Sequence, residues 1–582
     1  MAKPSSKLRT TLATLITQIY PDRDPDALAG EVIDAFWPED TKARTRGRSL
    51  GNTLWNETDT LVITYGNTFV DGQHKPLDLL RDFLERYVKG VISGVHILPF
   101  FPFTSDDGFS VTDYRAVNGQ LGDWADIERI SDDFRLMSDL VLNHVSSNSK
   151  WFNDYLQGHA PYDKFFKEAL PSDDLSEVVR PRTSPLLREV ETANGPKHVW
   201  CTFSHDQIDL DFGNPEVLLE FLRVTRLHIE HGIRIVRLDA VAFLWKELGT
   251  NCIHLPQTHA IVRLMRVLCD YAEEPVVLLT ETNVPNAENL SYFGNRNEAH
   301  MIYNFSLPPL LLHALLSGTS VHLNQWLMRM PPAQLGCAYL NFAASHDGIG
   351  VRGAEGLLSG EELGAVIGAV KDFGGKVSMR ALADGSQKPY ELNVTFFDAL
   401  KGTIEGGEDD HQVARFLCSQ SIVMALEGVP AFYVHSLLAT PNDLGGVEKS
   451  GMNRAINRHR WDYPELRGHL DDPDSIHAQV LNAMKERIAI RTKQKAFHPN
   501  ATQFTMQLGE KIFGLWRQSL NRDQSIFALH NVSDEAQVVP TLSINLIEGE
   551  DWYDLLTGKK LDLSDGVLTF APYQVRWVSN VK

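Results

Sequence analysis

Eight short apolar runs, each followed by a longer stretch with helical spacing, constrain this chain more than any other feature of its 582 residues. They are LVITY (61–65), VHILPF (95–100), LMSDLVLN (136–143), IRIVRLD (233–239), VVLLTE (276–281), MIYNF (301–305), YLNFAAS (339–345) and VPAFYVH (429–435). Short runs rich in branched apolar residues read as buried strands, and strands alternating with helices pair in parallel. Eight of them predict an α/β fold, a closed (β/α)8 TIM barrel over 59–145 and 216–497. The rest of the chain divides around that barrel. Residues 1–58 read as a polar, helical N-terminal extension, with apolar spacing in LATLITQIY and ALAGEVIDAFW. Two loop-inserted subdomains, 146–215 after the third run and 350–415 after the seventh, fall at the C-terminal face, where barrel enzymes build their active sites. From 498 to 582, pieces such as KIFGLWRQS and QVRWVSN alternate with turn residues and predict a C-terminal all-β domain.

Charge narrows the partners. The net charge is −20, and no Lys/Arg run interrupts it, so neither nucleic acid nor an anionic membrane is expected. No stretch approaches the roughly 18 uninterrupted apolar residues of a membrane span. The first twenty residues lack the continuous apolar core of a signal peptide. The five cysteines are odd in number and widely spaced, which fits neither a zinc site nor a disulfide framework. A cytoplasmic protein without metal or cofactor is expected, and a homodimer is left open.

The ends of four predicted strands carry groups that strands normally avoid. SDLVLNHVS offers Asp139, Asn143 and His144; VRLDA offers Arg237 and Asp239; LLTETN offers Glu281; ASHDGIG offers His346 and Asp347. Side chains two apart on a strand share a face, so Arg237 and Asp239 point the same way. Alone they read equally well as a structural ion pair. Four such ends at one barrel face read as a reaction centre, because each buried carboxylate carries a desolvation cost that needs partners.

These four segments, in this order, resemble the signature regions of the α-amylase superfamily, glycoside hydrolase family 13. The resemblance implies Asp239 as nucleophile, Glu281 as general acid/base, Asp347 as third carboxylate and Arg237 as the group orienting Asp239. It also implies that Asp106 and Phe109, in PFFPFTSDDGFSVTDY, and Arg454, in NRAINRH, hold a terminal glucose, as do His144 and His346. The chemistry agrees: glycoside cleavage needs one ionised and one protonated carboxyl, about 5 Å apart in a retaining enzyme. A cation beside Asp239 favours its anion, and an apolar site raises Glu281.

Within the superfamily, RLDAVAFLWKE, SHDGIG, KPYELNVTFFDAL and GVEKSGMNRAINRH are similar to the sucrose phosphorylase group. That likeness implies Arg182, in RPR, and Tyr390 as phosphate ligands. It implies Phe203 and Gln207, in WCTFSHDQID, as neighbours of the leaving sugar. Two features depart from sucrose phosphorylases: Glu391 stands where they carry glutamine, and the N-terminal extension is additional. Both look more like glucosylglycerate and sucrose 6-phosphate phosphorylases. The Glu391 carboxylate should repel an anion unless Lys388, Lys449 or Arg454 balances it.

The favoured reading is a retaining sucrose phosphorylase that makes α-glucose 1-phosphate from sucrose and phosphate and also accepts sucrose 6-phosphate. Its rivals are a glucosylglycerate phosphorylase, an α-glucosidase or transglucosidase on the same site, and an inactive family member serving as a binding subunit.

Overall fold

The computed structural model describes residues 6–38, 54–182, 184–381, 386–544, 546 and 551–582. All eight apolar runs become barrel strands: β1 Leu61–Thr64, β2 Gly94–Ile97, β3 Arg135–Val141, β4 Ile233–Asp239, β5 Val277–Thr280, β6 Met301–Tyr303, β7 Ala338–Asn341 and β8 Val429–Tyr433. Each pairs in parallel with the next, and β8 closes the sheet against β1. Several runs extend past their strands: β7 stops at Asn341, although the apolar pattern continues to Ser345. The loops leaving the C-terminal ends are themselves buried, so apolar content alone does not mark where pairing stops.

Register decides what faces the mouth. Asp139 lies opposite Arg237, Arg237 opposite Leu279, and Val141 opposite Asp239. One residue beyond β5, the Glu281 amide donates to the Leu238 carbonyl at 3.0 Å, so the ladder carries Glu281 alongside the end of β4.

Both described helices of the N-terminal extension, Ser6–Ile19 and Pro25–Phe36, dock on the barrel's outer helices Pro215–Glu230 and Pro256–Asp270. Residues 1–5 and 39–53 of the predicted extension lie outside the described residues. Leu8, Leu12, Ile16 and Ile19 are fully or almost fully buried and continuous with the barrel's core. Tyr20 closes the hairpin: its hydroxyl donates to the Phe212 carbonyl at 2.9 Å, and its ring packs on Trp245.

Three excursions rise over the C-terminal face. After β3, strands His144–Ser146 and Gln207–Asp209 pair antiparallel and bracket a hairpin of Leu187–Thr192 with Gly195–Trp200. After β7, a three-stranded sheet forms with Gln387–Asn393 between Ile349–Gly350 and Lys376–Ala381. The third, after β8, escapes a reading based on length. It contains the short helical segments Leu444–Ser450 and Asn453–Asn457, and Trp461–Asp462 then pairs in parallel with Phe69–Val70. That pairing pulls the segment back across the mouth.

The C-terminal region forms a six-stranded sheet and a two-stranded sheet. Its alternation is informative. Phe513, Leu515, Ile526, Ala528 and Trp577 join the barrel's core, while Ile512, Phe527, Leu529 and Val578 form a second core with Trp552 and Phe570. One face of the larger sheet is thus committed to the barrel.

Candidate active site

The barrel strands position a buried chain of charge. His96 on β2 meets Asp139 on β3 at 2.7 Å, and Arg237 on β4 donates through the same Nη1 to Asp139 and to Asp239, the latter at 2.6 Å. The Phe109 and Tyr303 rings flank this guanidinium at 5.8 and 5.6 Å. The residue after Asp239, Ala240, is left-handed at φ 50°, unusual for a residue with a Cβ. Its amide donates to Glu281 Oε2 at 3.2 Å. That contact brings the Glu281 carboxyl to the turn beside Asp239.

Above these groups lies one pocket. It is lined by Asp106, Phe109, His144, Arg182, Phe203, Gln207, Asp239, Glu281, His346, Asp347, Tyr390, Glu391 and Arg454, while Arg237, Asp139 and Asn143 lie buried outside the lining. Phe109 stacks on His346 with ring centroids 4.8 Å apart, and His144 Nε2 contacts the Phe109 carbonyl at 2.9 Å and Gln207 at 3.1 Å. Asp106 and Asp107 are both left-handed, and Gly108 follows at φ 115°. Such strain persists only where surroundings impose it. Here Arg458 holds Asp107 at 2.6 Å, and the Asp206 carboxylate ties Thr104, Ser105 and Ser110.

The excursions after β7 and β8 meet in an ionic knot. Arg454 forks onto Glu391 through two bonds of 2.8 and 2.9 Å and reaches Asp347 at 2.6 Å. Arg454 therefore supplies the balance expected for Glu391; Lys388 and Lys449 are exposed and do not line the pocket. Arg182 lies 5.7 Å from the Phe203 ring and 5.8 Å from Tyr390.

Electrostatics separate the carboxyls. Burial pushes Asp347 and Glu391 up, but Arg454 reverses this for both, and His346 and Arg458 add to it at Asp347; both end below the usual range. Asp239 and Glu281 go the other way. Burial outweighs Arg237 at both and, with repulsion from Glu281 at Asp239 and from Asp347 at Glu281, raises both, Asp239 to about 8. A single proton between two such carboxyls can sit on either one. Placing that proton on Glu281 keeps the 2.6 Å Arg237–Asp239 bond between opposite charges, so Asp239 is the better anion. Burial pushes His346 down to about 3 and lowers His144, leaving two neutral imidazoles for hydroxyl groups.

This geometry has known counterparts. The α-amylase catalytic domain model matches residues 71–329. A glucosylglycerate phosphorylase of Spirochaeta thermophila is 47% identical over 83% of this chain and 82% of its own. Another, from Allomeiothermus silvanus, is 41% identical over 99% of this chain and 100% of its own. The chain belongs to the α-amylase family, in its sucrose phosphorylase group. A sucrose phosphorylase of Streptococcus mutans is more distant, at 29% over 75% of this chain and 88% of its own. Among solved structures of the group, sucrose 6F-phosphate phosphorylase from Thermoanaerobacter thermosaccharolyticum superposes with a TM-score of 0.70 and 26% identity, covering 82% of this chain and 94% of that one.

Several residues around this family's pocket escaped the sequence reading. Lys246, in the FLWKE segment, is buried and bonds Asn143 at 2.8 Å and Asp209 at 3.1 Å, tying the first excursion to β3. Its tight spacing after Asp239 was the available signal. His96, Arg458, Asn283 and Arg352 gave none, since each is a single polar residue in an ordinary loop or strand. Away from the pocket, His313, His322 and Glu362 form one cluster of metal-ligating type among the described residues; His322 and Glu362 are already bonded at 2.6 Å. Among the described residues, no helix is long and apolar enough to cross a membrane.

Proposed function

We propose that this protein is a retaining α-glucoside phosphorylase acting on glucosylglycerate, giving α-glucose 1-phosphate and glycerate. The sequence reading favoured sucrose; the similarity to glucosylglycerate phosphorylases, extending over 99% of this chain in one case, moves the leaving group from fructose to glycerate. That similarity is the observation that carries the reading. The pocket supports it, because a product acid and phosphate are both anions, and Arg182 and Arg352 reach the pocket without a hydrogen-bonded carboxylate partner among the described residues.

In this reading Asp106, Asp347 and Arg454 hold glucose, with Phe109, His144 and His346 around the ring. Asp239 attacks C1 while Glu281 gives its proton to the departing oxygen of glycerate. The β-glucosyl–Asp239 ester is then opened by an oxygen of hydrogen phosphate, whose proton returns to Glu281. Arg182 and Tyr390 hold the incoming phosphate, beside Phe203 and Gln207. Arg237, bonded to Asp239, favours it as the leaving carboxylate in this second step.

The test is to supply glucosylglycerate, sucrose and sucrose 6-phosphate with saturating phosphate and measure glucose 1-phosphate. The expected outcome is a kcat/KM for glucosylglycerate at least about tenfold above the others, since sites built to bond a polar group discriminate well beyond that. A preference for sucrose would restore the sucrose label. Glucose release without phosphate dependence would make the protein a hydrolase.

A further inference from the structure

Resting on the glucosylglycerate reading, we infer that Arg352 and Asn283 form the subsite that selects the leaving group: Arg352 binds its carboxylate and Asn283 its primary hydroxyl. Arg352 reaches the pocket through backbone pairing. Gly350 lies opposite Glu391 in the inserted sheet, and the Val351 amide donates to the Tyr390 carbonyl at 3.1 Å. The next residue is Arg352, which the pairing fixes beside the strand carrying Tyr390 and Glu391.

Arg352 differs from the other buried arginines here. Arg237, Arg454 and Arg458 each bond a carboxylate at close range. The carboxylate nearest Arg352, Glu355, is 4.0 Å from its Nε and is already bonded to Arg380 at 2.9 Å. Among the described residues the Arg352 Nε is buried with no acceptor, and its side chain is only 15% exposed. A buried donor left unmet costs about 1–3 kcal/mol, more when charged, so this guanidinium is built for an acceptor that arrives with a ligand.

Asn283 supplies the complementary half. It lies two residues beyond Glu281 and lines the same pocket. Its Oδ1 is buried without a donor. Its amide is wedged against Gly350, where an added Cβ would come 2.5 Å from Nδ2, so the side chain has little freedom to turn away. In a glucosylglycerate linked through the 2-hydroxyl, the oxygen that Glu281 protonates sits on a carbon bearing both a carboxylate and a hydroxymethyl group. Whatever reads those two substituents must stand close to Glu281, and this wall offers a planar cation and a hydroxyl acceptor there. Fructose in the same place has no anion for Arg352, which leaves that donor unpaired and disfavours sucrose.

The deciding experiment runs the reaction towards synthesis, with α-glucose 1-phosphate as donor and either glycerate or its neutral counterpart glycerol as acceptor. Wild type should prefer glycerate. Arg352→Gln should lower the glycerate-to-glycerol ratio of kcat/KM by about 30-fold or more, the scale of a lost hydrogen bond to a charged group. The loss should appear mainly in the KM for glycerate, and Arg352→Lys should recover part of it. Asn283→Asp, which places a second anion in the wall, should also depress the ratio. Should Arg352→Gln not fold, Asn283→Asp decides alone. Ratios within about threefold of wild type in these variants would overturn the inference and leave the proposed function standing, because a group contributing under a kcal/mol does not set selectivity. A wild-type enzyme that cannot glucosylate glycerate would instead defeat the proposed function, and this subsite with it.

Discussion

The pocket has two kinds of arginine. Arg454 and Arg458 sit in a closed lattice with Asp107, Asp347 and Glu391, where every cation faces an anion at bonding distance. Arg182 and Arg352 sit beside aromatic rings or a distant, already engaged carboxylate. The difference teaches what each side waits for. A neutral sugar needs fixed, mutually compensated groups whose positions survive its departure, because the pre-set lattice already meets the cost of burying those charges. An anion needs cations whose partner is missing until it binds. On the proposed function, one pocket therefore combines a pre-assembled half with a half that the ligands complete.

The largest expected effect removes the charge of Asp239, which Arg237 holds outside that lattice. Asp239→Asn should lower turnover by about 10⁴-fold or more with the fold intact by circular dichroism, since nucleophile and acid act as a unit. Turnover above about a tenth of wild type would take Asp239 out of the nucleophile's role.

Next comes the lattice itself. Arg454→Met leaves Glu391 and Asp347 buried without their main cation, and breaking a buried pair costs about 3–5 kcal/mol. Both the melting temperature and kcat/KM should fall, and kcat/KM should fall alike for all donors. A change in donor preference instead would mean the two halves are not separate.

A smaller, selective effect belongs to the open half. Arg182→Ala should raise the KM for phosphate by about 30-fold, in line with a lost charge partner, and shift product towards free glucose at limiting phosphate. An unchanged glucose to glucose 1-phosphate ratio would remove Arg182 from phosphate binding.

The smallest effect concerns stability. Glu281 has a raised pKa in the fold, mainly through burial, so the unfolded chain ionises first as pH rises. Its cost is absent below the ordinary glutamate value of about 4.3 and grows above it. Glu281→Gln should melt roughly 1–3 °C higher than wild type at pH 7, with the gap closing at pH 4. An equal gap at both pH values would show that ionisation is not its source.

Much of this was legible in the sequence because barrel strands announce themselves. β4 is buried along nearly its whole length, so a charged pair within it stands out. The polar ends of β3, β4 and β5 could be read for the same reason. What escaped reading arises from pairing between distant loops. Arg458 meets Asp107 across 351 residues, whereas Arg454, which the sequence offered as one of three cations for Glu391, meets it across 63. Arg352 gains its meaning only from the inserted sheet that sets Gly350 against Glu391 and from the engagement of Glu355 elsewhere. Neither fact has a local pattern. The reading favoured sucrose over its glucosylglycerate rival for a related reason, and the similarity favours the rival: by the resemblance, the motifs around Asp239 and Asp347 belong to the glucose side and say little about the leaving group.

The N-terminal hairpin also sets an order of events during synthesis. Tyr20 bonds to Phe212 across 192 residues, and the outer helices on which the hairpin rests extend to Asp270. At roughly 5–20 residues per second, this platform leaves the ribosome on the order of 10–50 seconds after the hairpin does. Throughout that interval Leu8, Leu12, Ile16 and Ile19 have no barrel to cover them. The hairpin thus waits for a platform encoded well after it, and the nascent chain carries an apolar stripe that chaperones can grip until the fourth barrel strand and its flanking helices are in place.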